Sequence, residues 1–431
     1  MNLLHANDRP GEYPGSWYAA SAEPLDPFPA LEGGLRADIV VIGGGFTGLS
    51  TALHAARLGY DVVVIEAHRV GFGASGRNGG QVLVGQRKDQ VWLEKTFGKD
   101  DARKLWDIGW ESVELVKSLI EENGIDAEWR TGVADAAWTD EDAADAAEYA
   151  AKLRDDYGLA SAQALDRDGI RALIGSDAFK GGMIERASGH LHPLRFAFGL
   201  ARAAVKAGVR IFERTEALSV KTGSVRTAKG TIRADQVVLA CNGYLGGLER
   251  KVAARIMPIN NFIVATEPLG DRACEVLAED IAVADTKFVV NYWRLSHDGR
   301  LLFGGGENYG YRFPQDVAAV ARKPMLEIYP QLADVKIDHS WGGTLAITRS
   351  RMPDFARPRP GLWSASGYSG HGVAMATLAG KILAQAMHGD MSRFDVMAKA
   401  RPPALPPLGP ARGALVALAM SWFALRDRMG K

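Results

Sequence analysis

The chain has 431 residues, more than the roughly 250–300 over which a single hydrophobic core keeps growing, so two domains are expected. Its 51 Lys plus Arg balance 51 Asp plus Glu, which removes any electrostatic case for nucleic acid or an anionic membrane surface and directs attention to a small-molecule partner. The two cysteines, Cys241 and Cys274, offer neither a disulfide framework nor metal-ligand spacing and suit a reducing compartment, the cytoplasm by default.

The first 36 residues are proline-rich and polar, without the apolar run of a signal peptide, and read as an ordered or semi-ordered lead-in. Asp38-Ile39-Val40-Val41-Ile42 then forms a short apolar run ending in Gly43-Gly44-Gly45, as a buried parallel strand does. A helix is expected from Phe46 to about Leu58, closed by Gly59, and Asp61-Val62-Val63-Val64-Ile65-Glu66 gives a second apolar strand. Helical spacing recurs over Asp101 to Asn123, Glu141 to Tyr157 and Pro193 to Ala207. Val209 to Phe212 and Val237-Val238-Leu239-Ala240 read as strands, and the latter can rejoin the first sheet. From Ile256 to Phe303 the chain is strand-rich, with Asp298-Gly299 a hairpin turn, which predicts an antiparallel sheet. Gly361 to Ala386 reads as a strand, then Gly370-His371-Gly372, then a long Ala/Leu helix. The apolar stretch Ala414 to Leu425 is too short for the roughly 20 residues that span a bilayer; a docked amphipathic helix is expected there, with a weak membrane-surface or oligomer contact as the alternative.

Gly43-x-Gly45-x-x-Gly48 lies directly after a strand and opens a helix, the context a dinucleotide fingerprint needs. The first glycine allows the tight turn, the second lets the backbone approach a pyrophosphate, and the third lets helix and strand pack closely. Helix-terminal N–H groups then face the phosphates. Glu66, at the end of the second strand, is placed to accept hydrogen bonds from an adenosine ribose. The fingerprint alone leaves NAD and FAD open. Gly71 to Gln81 is a second small-residue loop, where Asn78, Gln81 and backbone N–H groups could contact the polar edge of a bulky ring system.

The unit from Gly43 to Glu66 and the loop Gly73-Ala74-Ser75-Gly76-Arg77-Asn78-Gly79-Gly80-Gln81 resemble the FAD-binding segments of the D-amino-acid-oxidase-like flavoproteins. Ala240-Cys241-Asn242-Gly243 resembles their later strand-to-turn cofactor contact, and Gly367-Tyr368-Ser369-Gly370-His371-Gly372 their C-terminal flavin loop. Within that class the chain resembles the γ-glutamylputrescine oxidase group, through Tyr13-Pro14-Gly15-Ser16-Trp17-Tyr18, Arg77-Asn78-Gly79-Gly80 and the basic-aromatic tail from Trp422 to Arg428. The resemblance implies an α/β chain, α+β overall. A Rossmann-like FAD-binding domain would be assembled from 1–90, 190–255 and 340–400, and a substrate domain with an antiparallel sheet from 91–189 and 256–339, with a tail helix at 401–431.

It also implies amine oxidation by hydride transfer to FAD, with O2 as acceptor and a γ-glutamylated amine as substrate. The cofactor set would be Gly43, Gly45, Gly48, Glu66, Ser75, Arg77, Asn78, Gly79, Gln81, Ala240, Asn242, Gly243, Gly370, His371 and Gly372. Related sarcosine oxidases attach their flavin through a late cysteine; Ser340 to Arg349 contains none, so FAD is expected to be non-covalent. The substrate side would draw on Tyr292, Trp293, Arg294, Trp341, Arg349, Arg351, Tyr368 and His371. Strand alternation puts Tyr292 and Arg294 on one face, and Arg294 requires either a substrate acid or a structural ion pair. His190 and His192 read as a structural pair, and no metal site is expected. Two other readings stay open: a dehydrogenase of the same fold that passes electrons to a quinone or carrier, and a non-catalytic flavin-binding subunit.

Overall fold

The structure is a computed structural model that describes residues 2–308 and 310–405. The part of the tail helix expected past residue 405 lies outside the described residues.

Two sheets organise the chain. The first has eight strands, and its main path runs Asp354–Arg359, Leu362–Ser366, Gly230–Leu239, Gly33–Ile42, Val62–Ile65 and Arg210–Phe212. Its centre is parallel, since Gly33–Ile42 pairs in parallel with both Gly230–Leu239 and Val62–Ile65. Apolar residues without alternation are what such strands need, because both faces are covered. Ile39, Val41, Val62 and Val64 enter the largest core, against the helices Phe46–Arg57, Pro193–Lys206 and Gly372–His388. Val40, Ile42, Val63 and Ile65 enter a separate core on the other face.

The second sheet has nine strands, ordered on its main path Ile337–Thr348, Ile256–Thr266, Leu301–Asn308, Tyr292–Leu295, Ala282–Asp285, Arg130–Ala137, Gly181–His190 and Gln81–Val82. It is antiparallel except where Arg130–Ala137 meets Ala282–Asp285. Alternation divides its residues between two environments. Ala134, Ala136, Ile184, Val283, Trp293 and Phe303 fill a second core with the helix Val317–Ile328. Val133, Asp135, Met183, Glu185, Ala284 and Tyr292 turn the other way, onto a cavity. Two boundaries shift from the sequence reading: Gln81–Val82 and the whole of Ile337–Thr348 pair in this second sheet, not in the nucleotide layer. The strands Arg130–Ala137 and Gly181–His190 have no counterpart in that reading.

The lead-in is ordered from residue 2. Trp17 and Tyr18 are buried in the main core, and Asp8 reaches the Arg77 guanidinium at 3.0 Å. Among the described residues no helix is long and apolar enough to cross a membrane.

Candidate active site

The three fingerprint glycines are each required by a close approach. Gly43 has φ +115°, and a Cβ there would lie 2.7 Å from the Ala240 carbonyl oxygen. A Cβ on Gly48 would lie 1.9 Å from the Gly43 carbonyl oxygen, so this glycine sets the helix–strand packing. A Cβ on Gly45 would lie 2.7 Å from Ser75 Oγ, the atom that accepts the Phe46 N–H at 3.0 Å. Glu66 is half-buried at the cavity wall, and its carboxylate accepts the Gly44 N–H at 2.7 Å and the His68 N–H at 2.9 Å. Burial pushes its pKa upward, and these N–H groups act in the opposite sense.

The second loop spends most of its polar groups on its own shape. Asn78 donates to the Ala74 and Ser75 carbonyls at 3.0 Å and accepts the Gly80 N–H at 2.8 Å. Gln81 donates to the Val283 carbonyl at 2.8 Å. Arg77 donates to the Phe72 and Gly342 carbonyls, while its Nη2 is enclosed without a partner. A Cβ on Gly79 would lie 2.6 Å from the Tyr292 ring. Asn242, at φ +44°, accepts the Gly367 N–H at 2.9 Å and so ties the two later cofactor segments together. Gly243 lies against the Leu345 carbonyl, and Gly370 takes φ +90° immediately before His371 and the helix opening at Gly372.

Apart from Gly48, every residue expected to hold the cofactor lines one cavity, among them Ser75, Ala240, Gly243, Gly370 and Gly372. Its volume is about 1540 Å³. That exceeds the roughly 300–1,000 Å³ of an ordinary small-molecule pocket and leaves room for a dinucleotide and a second molecule. Two enclosed polar atoms with no partner, Arg77 Nη2 and His371 Nε2, belong to residues lining the same space. The glycine cradle, the Glu66 carboxylate at the cavity wall and these two atoms fit FAD. Gly43, Gly45 and the start of Phe46–Arg57 would receive the pyrophosphate, Glu66 the ribose, and the Arg77 and His371 segments the ring system.

The substrate candidates divide. Tyr292 lines the cavity and donates its hydroxyl to Asn261 at 2.6 Å. Tyr368 lines it and shares a 2.6 Å hydrogen bond with Thr47. His371 lines it too; burial and the Arg87 charge hold its pKa down near 4 against the favourable Leu83 and Gly85 carbonyls, so the ring is neutral at pH 7.

Arg294 does not reach the cavity. Its guanidinium donates to the carbonyls of Gly79 at 2.9 Å, Leu295 at 3.0 Å and Leu191 at 3.1 Å, and lies 3.4 Å from the Tyr18 hydroxyl. Neither expected partner, a substrate acid or a protein carboxylate, is what satisfies it; the planar fork is filled mainly by backbone oxygens. Trp341 is likewise buried behind the cofactor loop, where its indole donates to the Arg77 carbonyl at 3.0 Å, and Arg349 is exposed away from the cavity. His192 caps Pro193–Lys206 by accepting the Arg195 N–H, and His190 pairs with Asp280 at 3.2 Å. Among the described residues no cluster of potential metal ligands forms.

Three cavity groups were not singled out from the sequence: Arg87, Asp135 and Glu185. Arg87 donates its Nε to the Ser369 carbonyl at 3.2 Å, and burial lowers its pKa. Arg351, which was singled out, lines the same space with its guanidinium over the Phe288 ring, and no described residue takes a hydrogen bond from that guanidinium.

Comparison with known proteins agrees with this geometry. A family model described as FAD dependent oxidoreductase matches residues 38–386. The chain is 41% identical over 420 residues to a probable oxidoreductase OrdL of Rhizobium meliloti, covering 96% of this chain and 97% of that one. It is 39% identical over 424 residues to the γ-glutamylputrescine oxidoreductase of Escherichia coli, covering 97% and 99%. A solved structure of glycine oxidase from Geobacillus kaustophilus superposes with a TM-score of 0.70 at 22% identity, covering 84% of this chain and 98% of that one, a likeness of fold. With the cradle, the Glu66 carboxylate and the two-sheet enclosure in place, this chain belongs to the FAD dependent oxidoreductase family, as an enzyme whose cofactor is FAD.

Proposed function

We propose that the protein oxidises the terminal C–N bond of a γ-glutamyl-capped amine such as γ-glutamylputrescine, with O2 reduced to H2O2, in the cytoplasm. The observation that carries this reading is the continuation of the cofactor cradle into a walled chamber containing Arg87 and Arg351. The likeness to the E. coli γ-glutamylputrescine oxidoreductase supports the substrate class.

The neutral amine loses a hydride from carbon and a proton from nitrogen, giving an imine that water hydrolyses to aldehyde and ammonia. The two electrons and two protons reduce O2 to H2O2. When bound, FAD supplies the hydride acceptor at its N5. The chain's residues orient and desolvate. Arg87 keeps its terminal nitrogens available for a substrate carboxylate, with Arg351 beside it as a second cation. A free alkyl amine has a pKa of roughly 10, so most of it arrives protonated. Met183, Phe288 and Tyr292 supply apolar and aromatic surface to the walls, which favours the neutral, reactive form of the amine. The neutral His371 adds no positive charge that would disfavour a nearby developing cation.

Non-covalent attachment is part of the proposal. Cys241 lies at the Glu66 end, its thiol pushed up to about 12 by burial, and Cys274 sits in the exposed turn Gly270–Glu275. Acid precipitation should therefore release the yellow colour into the supernatant; colour left in the pellet would contradict it. Peroxide formed at the rate of amine turnover, with no added acceptor, tests the oxidase assignment. Flavin reduction without peroxide would assign electron transfer to a quinone or carrier instead.

A further inference from the structure

Asp135 is a charged group that the chemistry above does not use. It sits on Arg130–Ala137, where alternation sends Ala134 and Ala136 into the second core and presents Val133 and Asp135 to the cavity. Its side chain is open to solvent yet surrounded by protein, because the space it faces is the cavity itself. Among the described residues nothing donates a hydrogen bond to its carboxylate or forms an ion pair with it. The groups that act on it are Glu185 from Gly181–His190, Tyr149 from Asp140–Tyr157, and Arg87 from the loop after Gln81–Val82. Glu185 is already engaged, accepting the Ala187 N–H at 2.8 Å and the Ser188 N–H at 3.0 Å. Burial and the Glu185 charge push Asp135 up to about 6, which still leaves it ionised at neutral pH.

A ligand that fills this walled space and displaces its water leaves the carboxylate without a donor unless the ligand itself supplies a cation. That cation is not the amine being oxidised. A carboxylate beside the reacting nitrogen would hold it as ammonium, the form that cannot give up hydride. We infer that Asp135 is the counter-ion for a second ammonium group on the substrate, the α-ammonium of an amino-acid head whose carboxylate goes to Arg87. The identity of that head rests on the proposed function; the demand for a cation at Asp135 does not.

The test uses the FAD-loaded protein and two dead-end ligands, γ-glutamylbutylamide and glutarylbutylamide. They differ only by the α-ammonium, and both lack the terminal amine. Dissociation constants are read anaerobically from the perturbation of the flavin absorbance. The wild type should bind the γ-glutamyl ligand about 10- to 100-fold more tightly, the range of one charge-assisted hydrogen bond. Asp135→Asn should bind both alike while keeping its FAD. In the wild type alone, the preference should fade as pH falls below about 6. No preference in the wild type, or a preference that persists in Asp135→Asn, overturns the inference. So does bleaching of the flavin by the γ-glutamyl ligand, which would place the α-amine over the ring. Failure of the proposed function would show separately, as no reduction by any terminal amine.

Discussion

At Gly45, a side chain would meet Ser75 Oγ as well as the space a pyrophosphate needs, so the fingerprint and the second loop are interlocked at one atom. Gly45→Val should yield protein without FAD, judged by the ratio of flavin to protein absorbance; full retention would remove this glycine from the cofactor site. Glu66→Gln should weaken FAD by about 1.5–3 kcal/mol, the scale of hydrogen bonds to a charged group, because an amide group would oppose one of the N–H donors now on the carboxylate. Equilibrium dialysis against FAD measures it, and an unchanged constant would place the ribose contact elsewhere. Arg294→Met would leave the Gly79, Leu191 and Leu295 carbonyls without this donor. The expected result is a loss of about 1–3 kcal/mol in unfolding stability and equal impairment toward all amines. A rise in KM confined to carboxylate-bearing amines would restore the anchoring role to Arg294.

Among the elements, those with strong chemical punctuation were legible. The strand–glycine–helix–strand opening was readable from Val and Ile runs set against glycines, and the Tyr292–Leu295 hairpin from Asp298-Gly299. The strands carrying Asp135 and Glu185 were not. Arg130–Ala137 has only Gly132, Ala134 and Ala136 to mark its core face and a single Val on the other, so alternation leaves little hydrophobic contrast, and Gly181–His190 opens on two glycines that weaken any strand pattern. Those glycines have a use in the packing. A Cβ on Gly182 would lie 2.0 Å from the Asp135 carbonyl oxygen, so the two strands meet at the residue that faces the cavity. Gly182→Ala should therefore lower stability by about 1–3 kcal/mol and weaken ligand binding, while FAD, whose expected glycine fingerprint follows a strand of the other sheet, stays. Loss of FAD in parallel would show that cofactor retention depends on this strand pair. Arg87 escaped the sequence reading for a different reason: it lies in a loop, and only folding brings it beside Ser369 and His371.

For the whole molecule, a lone carboxylate facing the cavity carries a stability cost. Asp135 titrates higher in the folded protein than an ordinary aspartate, so the folded state binds its proton more tightly than the unfolded chain does. The cost is absent at low pH, grows as pH rises toward about 6, and is fully present above it. Asp135→Asn should accordingly raise the melting temperature of the substrate-free holoprotein at pH 7.5 and lose that advantage near pH 4. A variant less stable at pH 7.5 would mean that the carboxylate has a partner in the fold. Removal of hydride from the terminal C–N bond of a γ-glutamyl-capped amine, as proposed, can be followed by mixing the protein anaerobically with γ-glutamylputrescine and recording flavin absorbance. Bleaching is expected within the time of turnover, faster than with putrescine or free amino acids. A flavin that stays oxidised with γ-glutamylputrescine, or bleaches only with an α-amino acid, would contradict it.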